Sequence, residues 1–156
     1  MNYYFEFVNP VSTLRITENG QAITSVYFTI NHPLPPPDAE ANETPLIKET
    51  CRQLSEYFAG KRTVFDVPLE TNGTDFQRRV WRALCTIPYS ETRSYGQIAS
   101  IINCPEGARA VGMANNRNPI SIIIPCHRVI GANGSLTGYA AGVAIKEKLL
   151  QIERGR

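Results

Sequence analysis

Long apolar runs are missing from this chain of 156 residues. The longest, Ile120 to Pro125, falls far short of the roughly 20 residues that cross a bilayer, so no membrane association is expected. Charge is also sparse, at 19% of residues against 42% apolar, which excludes a disordered, self-repelling chain and leaves ample material for a core. Histidine is nearly absent: residues 1–70 offer only His32 and Cys51 as soft ligands, too few for a four-coordinate zinc site. No metal and no cofactor is expected. The four cysteines, at 51, 85, 104 and 126, have neither the close spacing of a zinc cluster nor the density of a secreted disulfide scaffold. Met1 to Phe7 carries Glu6 and no basic residue, so no secretory signal is expected either. The setting these features predict is reducing and cytoplasmic. Repeats and low-complexity tracts are lacking, which excludes solenoid arrays, and the length suits one domain or two small ones.

What charge there is lies unevenly. Residues 1–70 hold five Lys/Arg against nine Asp/Glu, whereas residues 71–156 hold eleven against five. An acidic first half joined to a basic second half points the second half toward a polyanion.

The organisation follows the same division. Strand-forming segments Tyr3 to Val8, Leu14 to Thr17 and Ala22 to Ile30, separated by Asn9-Pro10 and Asn19-Gly20, predict a small antiparallel meander. The proline-rich stretch from His32 and the acidic residues through Glu43 predict a loop. Ile47, Cys51, Leu54 and Phe58 then recur at helical spacing, with Pro45 near the start and Gly60 after the end. After a soft boundary near residue 70, Thr74 with Gln77 and Ser94 with Gln97 form two capping-box patterns that open helices. Pro105 is expected to start a third helix running through Ala114, and the tight connection Asn103-Cys104-Pro105 makes the last two a helix-turn-helix candidate. That third helix is nearly bare, with Gly107, Ala108, Ala110, Gly112 and Ala114 around a single projecting Arg109. Such a surface permits close approach but offers few base-reading side chains, unless its small residues merely allow tight packing. Ile120 to Ile124 reads as a strand, Asn133-Gly134 as a turn, and Val143 to Ile152 as a final helix.

Cys126 stands apart from the other thiols because His127 and Arg128 follow it. A cysteine nucleophile needs thiolate character, which a base and cationic neighbours supply. Cys51, Cys85 and Cys104 are read as buried and inert. On an extended segment Cys126 and His127 would point to opposite sides, which leaves room for a bridging water. The acidic residues downstream of His127 are Glu147 and Glu153, and by position alone Glu153 reads as a solvated charge.

Together these residues resemble the O6-alkylguanine-DNA alkyltransferase family over residues 72–154. The resemblance rests on Pro125-Cys126-His127-Arg128-Val129-Ile130, on Ala108-Arg109-Ala110-Val111-Gly112 with Asn118-Pro119, on Ser94-Tyr95, and on Gly138-Tyr139 followed by Lys146-Glu147, Leu149-Leu150 and Glu153. Residues 1–70 match in general layout only.

The resemblance implies an α+β fold: an N-terminal antiparallel sheet with a helix (1–70, ribonuclease H-like) and a helical C-terminal domain with a winged-helix-like helix-turn-helix (71–156). It implies Cys126 as alkyl acceptor, His127 as its base through a water, Glu153 as the carboxylate orienting His127, Tyr95 as an aid to guanine departure, and Asn118 as a hinge. Arg109 would fill the base stack after flipping, with Ala108, Ala110, Gly112, Tyr95 and Arg128 also on the DNA. Val129, Tyr139 and Ala140 would line the pocket, where backbone carbonyls near Cys126 and Val129 would read the guanine edge. The partner implied is double-stranded DNA containing alkylated guanine, met by a monomer without an obligate protein partner. Ala140-Ala141 departs from the Ser-Gly of many relatives, so alkyl size is left open, as is O4-alkylthymine. A multiple-turnover cysteine hydrolase and a non-catalytic DNA-binding module are the rival readings.

Overall fold

The computed structural model describes residues 1–136 and 138–155. Asparagine-centred turns build its first layer. After β1 (Asn2–Phe7), Asn9 Oδ1 accepts the N–H groups of Val11 and Ser12 at 2.9 and 3.0 Å. After β2 (Leu14–Glu18), Asn19 Oδ1 accepts those of Gln21 and Ala22 at 3.0 Å, beside Gly20 at φ +93°. Side chains that satisfy the backbone locally reverse the chain and set the register. β1 pairs antiparallel with β2 from Tyr3↔Glu18 to Phe7↔Leu14, and β3 (Ile23–Phe28) pairs antiparallel with β2.

A fourth strand, β4 (Ala39–Ala41), lies parallel to β1 in the order β3-β2-β1-β4. It falls in the stretch expected to be loop, because Ala-Glu-Ala has little strand preference of its own and is held by backbone pairing. The proline-rich segment before it is short of N–H donors. Buried Arg15 supplies them, donating to the carbonyls of His32, Pro33 and Leu34 while pairing with Glu6. Helix α1 (Pro45–Phe58), capped by Thr44, lays Ile47, Cys51, Leu54 and Tyr57 into the core.

In the second half, α2 (Asp75–Leu84) and α3 (Tyr95–Ile101) both start on complete capping boxes. Helix α4 (Ala108–Asn116) begins later than Pro105, because Asn103 at φ +61° and the bond from Gly107 N to Cys104 O at 2.8 Å turn the chain first. The indole of Trp81 on α2 donates to Ala114 O on α4 at 2.9 Å, joining the two helices.

The run Ile120 to Ile124 is not a strand. Ile120 makes a single bridge to Val26 of β3, which ties the halves together, and the chain then turns with Ile122 at φ +72°. A β-branched residue tolerates that region only when its surroundings impose it. Asn118 imposes it, donating to the carbonyls of Ile120 and Ile124 at 3.3 and 2.8 Å and accepting from Ile120 N at 3.0 Å. The chain continues through a helical turn (Cys126–Arg128) into β6 (Val129–Ile130), parallel to β5 (Arg93–Ser94), and ends in α5 (Val143–Glu153). Among the described residues no helix is long and apolar enough to cross a membrane.

Trp81→Phe leaves the Ala114 carbonyl without its indole donor, and a loss of about 1–3 kcal/mol is expected. Urea unfolding checks it: the midpoint should fall at constant slope, and an unmoved midpoint would show that this bond does not hold α4.

Candidate active site

Cys126 and His127 sit on one turn, not on an extended segment, and both are buried. The turn aims them differently. The thiol approaches the hydroxyl of Tyr139 at 3.9 Å, while His127 Nε2 lies 2.5 Å from Glu153 Oε2. Among the described residues no hydrogen bond joins the thiol to the imidazole directly, and His127 Nδ1 is buried without a partner.

Glu153 is not solvated. It lies on the inward face of α5 with Ile145, Lys146, Leu149 and Leu150. Its carboxylate accepts from His127, from Tyr57 Oη at 2.6 Å, from Arg128 Nε at 2.8 Å and from Ser90 N at 3.1 Å. Burial alone would push this carboxyl up, but the donors outweigh it and hold it below the ordinary range. With Glu153 ionised, Nε2 must carry the imidazole proton, which leaves the lone pair on Nδ1. Burial holds His127 below its ordinary value and Cys126 above its own, so both are neutral at rest. Asn118, Tyr139 and the charge of buried Lys146 pull the thiol the other way. The site can therefore form a thiolate without strongly favouring one.

Arg128, expected on the DNA, lies inside the protein, because its guanidinium is held by Glu153 and by Ile87 O at 2.8 Å. Cys85, read as buried, is exposed, whereas Cys51 is buried and its thiol is pushed up to about 12. Tyr95, Ala108, Arg109 and Gly112 share one open depression with Gly138, while Ala110 lies on the flank toward Phe76 and Gln77 of α2. Gly138, at φ +73°, leaves no Cβ against the Tyr95 hydroxyl, where one would come within 3.3 Å. A separate cavity of about 260 Å³ opens at Cys126. Asn115, Asn118, Tyr139 and Ala140 line it, as do Tyr27 and His32 from the first half, whose rings stack at 3.9 Å. It is near the small end of ligand cavities, a size for a nucleobase. Val129 is buried beside the site, and its carbonyl accepts from Lys146 Nζ at 2.5 Å.

Sequence reasoning missed Tyr57, Asn115 and Lys146 as site residues. For Lys146 a signal exists: positions 146, 149, 150 and 153 share one helical face, so a lysine and a glutamate stand where apolar residues belong. Among the described residues no group of three or more His, Cys, Asp or Glu side chains could hold a metal ion.

The geometry sets a buried thiol and a carboxylate-bound imidazole on one turn, in the half of the chain that carries the helix-turn-helix. Comparison with known proteins sharpens that picture. The chain belongs to the 6-O-methylguanine DNA methyltransferase family: the DNA-binding domain of that family matches residues 75–155, and its ribonuclease-like domain matches residues 3–71. A methylated-DNA–protein-cysteine methyltransferase of Methanosarcina acetivorans is 49% identical over 97% of both chains. A constitutive one of Bacillus subtilis is 46% identical over 99% of this chain and 96% of its own. The crystal structure of Mycobacterium tuberculosis OGT in complex with DNA superposes with a TM-score of 0.92 at 46% identity, covering 98% of this chain and 93% of that one.

Glu153→Gln removes the anion from buried Arg128, so a destabilisation of about 3–5 kcal/mol is expected, beyond any effect on His127. Because the folded carboxyl titrates below its ordinary 4.5, the stability it lends is complete above that pH and lost on acidification below it. Thermal melts from pH 7 to 3 check both points: the variant should melt lower at pH 7, and the gap should close toward pH 3.

Proposed function

We propose that this chain repairs DNA by transferring an alkyl group from O6-alkylguanine to its own Cys126, once per molecule. The observation that carries this reading is a buried thiol beside a neutral imidazole whose lone pair has no partner, in a cavity of nucleobase size. His127 Nδ1 takes the thiol proton through a bridging water, since the thiol's own contact is with Tyr139. The sulfur then attacks the alkyl carbon, the carbon–oxygen bond breaks, and its electron pair returns to the base. Tyr95, whose hydroxyl burial keeps protonated, gives its proton to the departing guanine, and His127 and Tyr95 return to neutrality by proton exchange with water, so the net proton movement is from the thiol to guanine. Glu153 holds His127 in the reactive tautomer.

The target carbon is inside the duplex until the nucleotide is extruded, and a wedge must offset an unstacking cost of a few kcal/mol. Exposed Arg109, on the otherwise bare face of α4, is that wedge. Residues 1–70 act as the scaffold and residues 71–156 as the DNA-binding and acceptor domain of a cytoplasmic monomer. The thioether formed has no acyl carbonyl for water to attack, so Cys126 is not regenerated.

Mass spectrometry after incubation with DNA containing O6-methylguanine tests the proposal. One methyl should appear on the Cys126 peptide and none on those of Cys51, Cys85 and Cys104. Turnover beyond one equivalent would support a hydrolase, and binding without modification a passive module. The transfer rate should fall on acidification with a midpoint below 6.5, as His127 gains a proton; a rate flat from pH 8 to 5 would remove His127 as the base. Arg109→Ala should slow repair of duplex DNA more than reaction with a free O6-alkylguanine base, and equal slowing would argue against a wedge.

A further inference from the structure

Asn115 lies near the end of α4, 2% exposed, in the wall of the Cys126 cavity. Its Nδ2 donates to the Cys126 carbonyl at 3.2 Å, which fixes the orientation of the amide. Its Oδ1 is then buried with no hydrogen-bond partner among the described residues. Only two other side-chain atoms there share that condition, Thr17 Oγ1 and His127 Nδ1. The reaction gives His127 Nδ1 a proton to take, but it leaves Asn115 Oδ1 unexplained. A buried amide oxygen without a donor burdens the fold, and it can be satisfied only by an N–H or O–H.

We infer that Asn115 is a specificity-determining residue, whose Oδ1 accepts an N–H from the 2-amino group of the extruded O6-alkylguanine and so favours guanine over O4-alkylthymine. The inference rests on the proposed function, in which this cavity receives the alkylated base. Once O6 is alkylated, N1 of guanine carries no hydrogen, and the 2-amino group is the one donor left on that edge. O4-alkylthymine presents N3 and O2 there, both acceptors, and its O2 would meet Oδ1 acceptor to acceptor. The carbonyls expected to read this edge each already hold one donor, Asn115 Nδ2 at Cys126 and Lys146 Nζ at Val129, and keep a second lone pair. Asn115 Oδ1 is the acceptor with none. Because the same amide is anchored on the nucleophile's own carbonyl, a base held by it is registered relative to the sulfur.

The test measures single-turnover transfer to Cys126 from duplexes carrying O6-methylguanine, O6-methylhypoxanthine, which lacks only the 2-amino group, or O4-methylthymine. Loss of the amino group should slow the unaltered protein by about tenfold or more and slow Asn115→Leu far less, and the guanine-to-thymine rate ratio should fall in the same variant. Each ratio is taken within one preparation, so a loss of folded protein cancels, and Asn115→Ala gives the same comparison should the leucine variant not fold. An amino-group effect of equal size in the unaltered protein and the variants overturns the assignment and returns amine recognition to the backbone. No transfer to Cys126 by the unaltered protein from any of the three duplexes overturns the proposed function itself, a result that needs no variant to see.

Discussion

The carboxylate of Glu153 is the point on which the rest of the structure converges. It takes hydrogen bonds from Tyr57 of α1, from Ser90 before β5, and from His127 and Arg128 of the nucleophile's turn. Those donors come from both halves of the chain and from segments far apart in sequence. An ionised carboxylate this deep is tolerable only because every one of them is in place. The same cluster that stabilises the interface therefore fixes the imidazole. Folding and the placing of His127 share one buried charge, and a fold that lost the docking of α1 would lose the imidazole's orientation with it.

That arrangement also explains why the thiol can be held neutral. Low dielectric raises the cost of forming thiolate and imidazolium apart from each other. Lys146 beneath the site and the donors Asn118 and Tyr139 lower that cost for the sulfur, while Glu153 lowers it for His127. Both groups are thus neutral at rest, with partners placed to favour their charged forms. For the proposed single transfer such restraint is useful, because a standing thiolate would meet oxidants and stray electrophiles before its substrate.

Legibility in the sequence followed the range of the forces involved. The capping boxes at Thr74 and Ser94, the asparagine turns and the helical face of α1 are local, and the structure places them where their patterns do. The nearness of an imidazole to Cys126 was visible because His127 is its neighbour in sequence. What the sequence hid depends on partners elsewhere. β4 is a strand only because β1 lies beside it, Ile120 to Ile124 turns only because Asn118 holds its carbonyls, and Arg128 is internal only because Glu153 waits for it. Asn115 was hidden for a different reason. It stands among the residues of α4 that read as DNA-facing, and only the folded structure shows it turned inward to the Cys126 carbonyl.

The bare surface of α4 then has a consequence for selectivity. Ala108, Arg109 and Gly112 border an open depression with one long side chain among them, and such a face can bind any duplex about equally. Attraction through the basic second half adds affinity that depends on salt and is blind to sequence. On the proposed function, a protein built this way does not choose its target at the groove. Selection then follows extrusion of the base into the Cys126 cavity. The lining of that cavity is accordingly the opposite of the helix surface, with Asn115, Asn118 and Tyr139 each turned toward Cys126 or its loop. On that reading, close approach outside and discrimination inside are two parts of one division of labour, with Arg109 exposed on the outer face of α4 and Asn115 buried on its inner one.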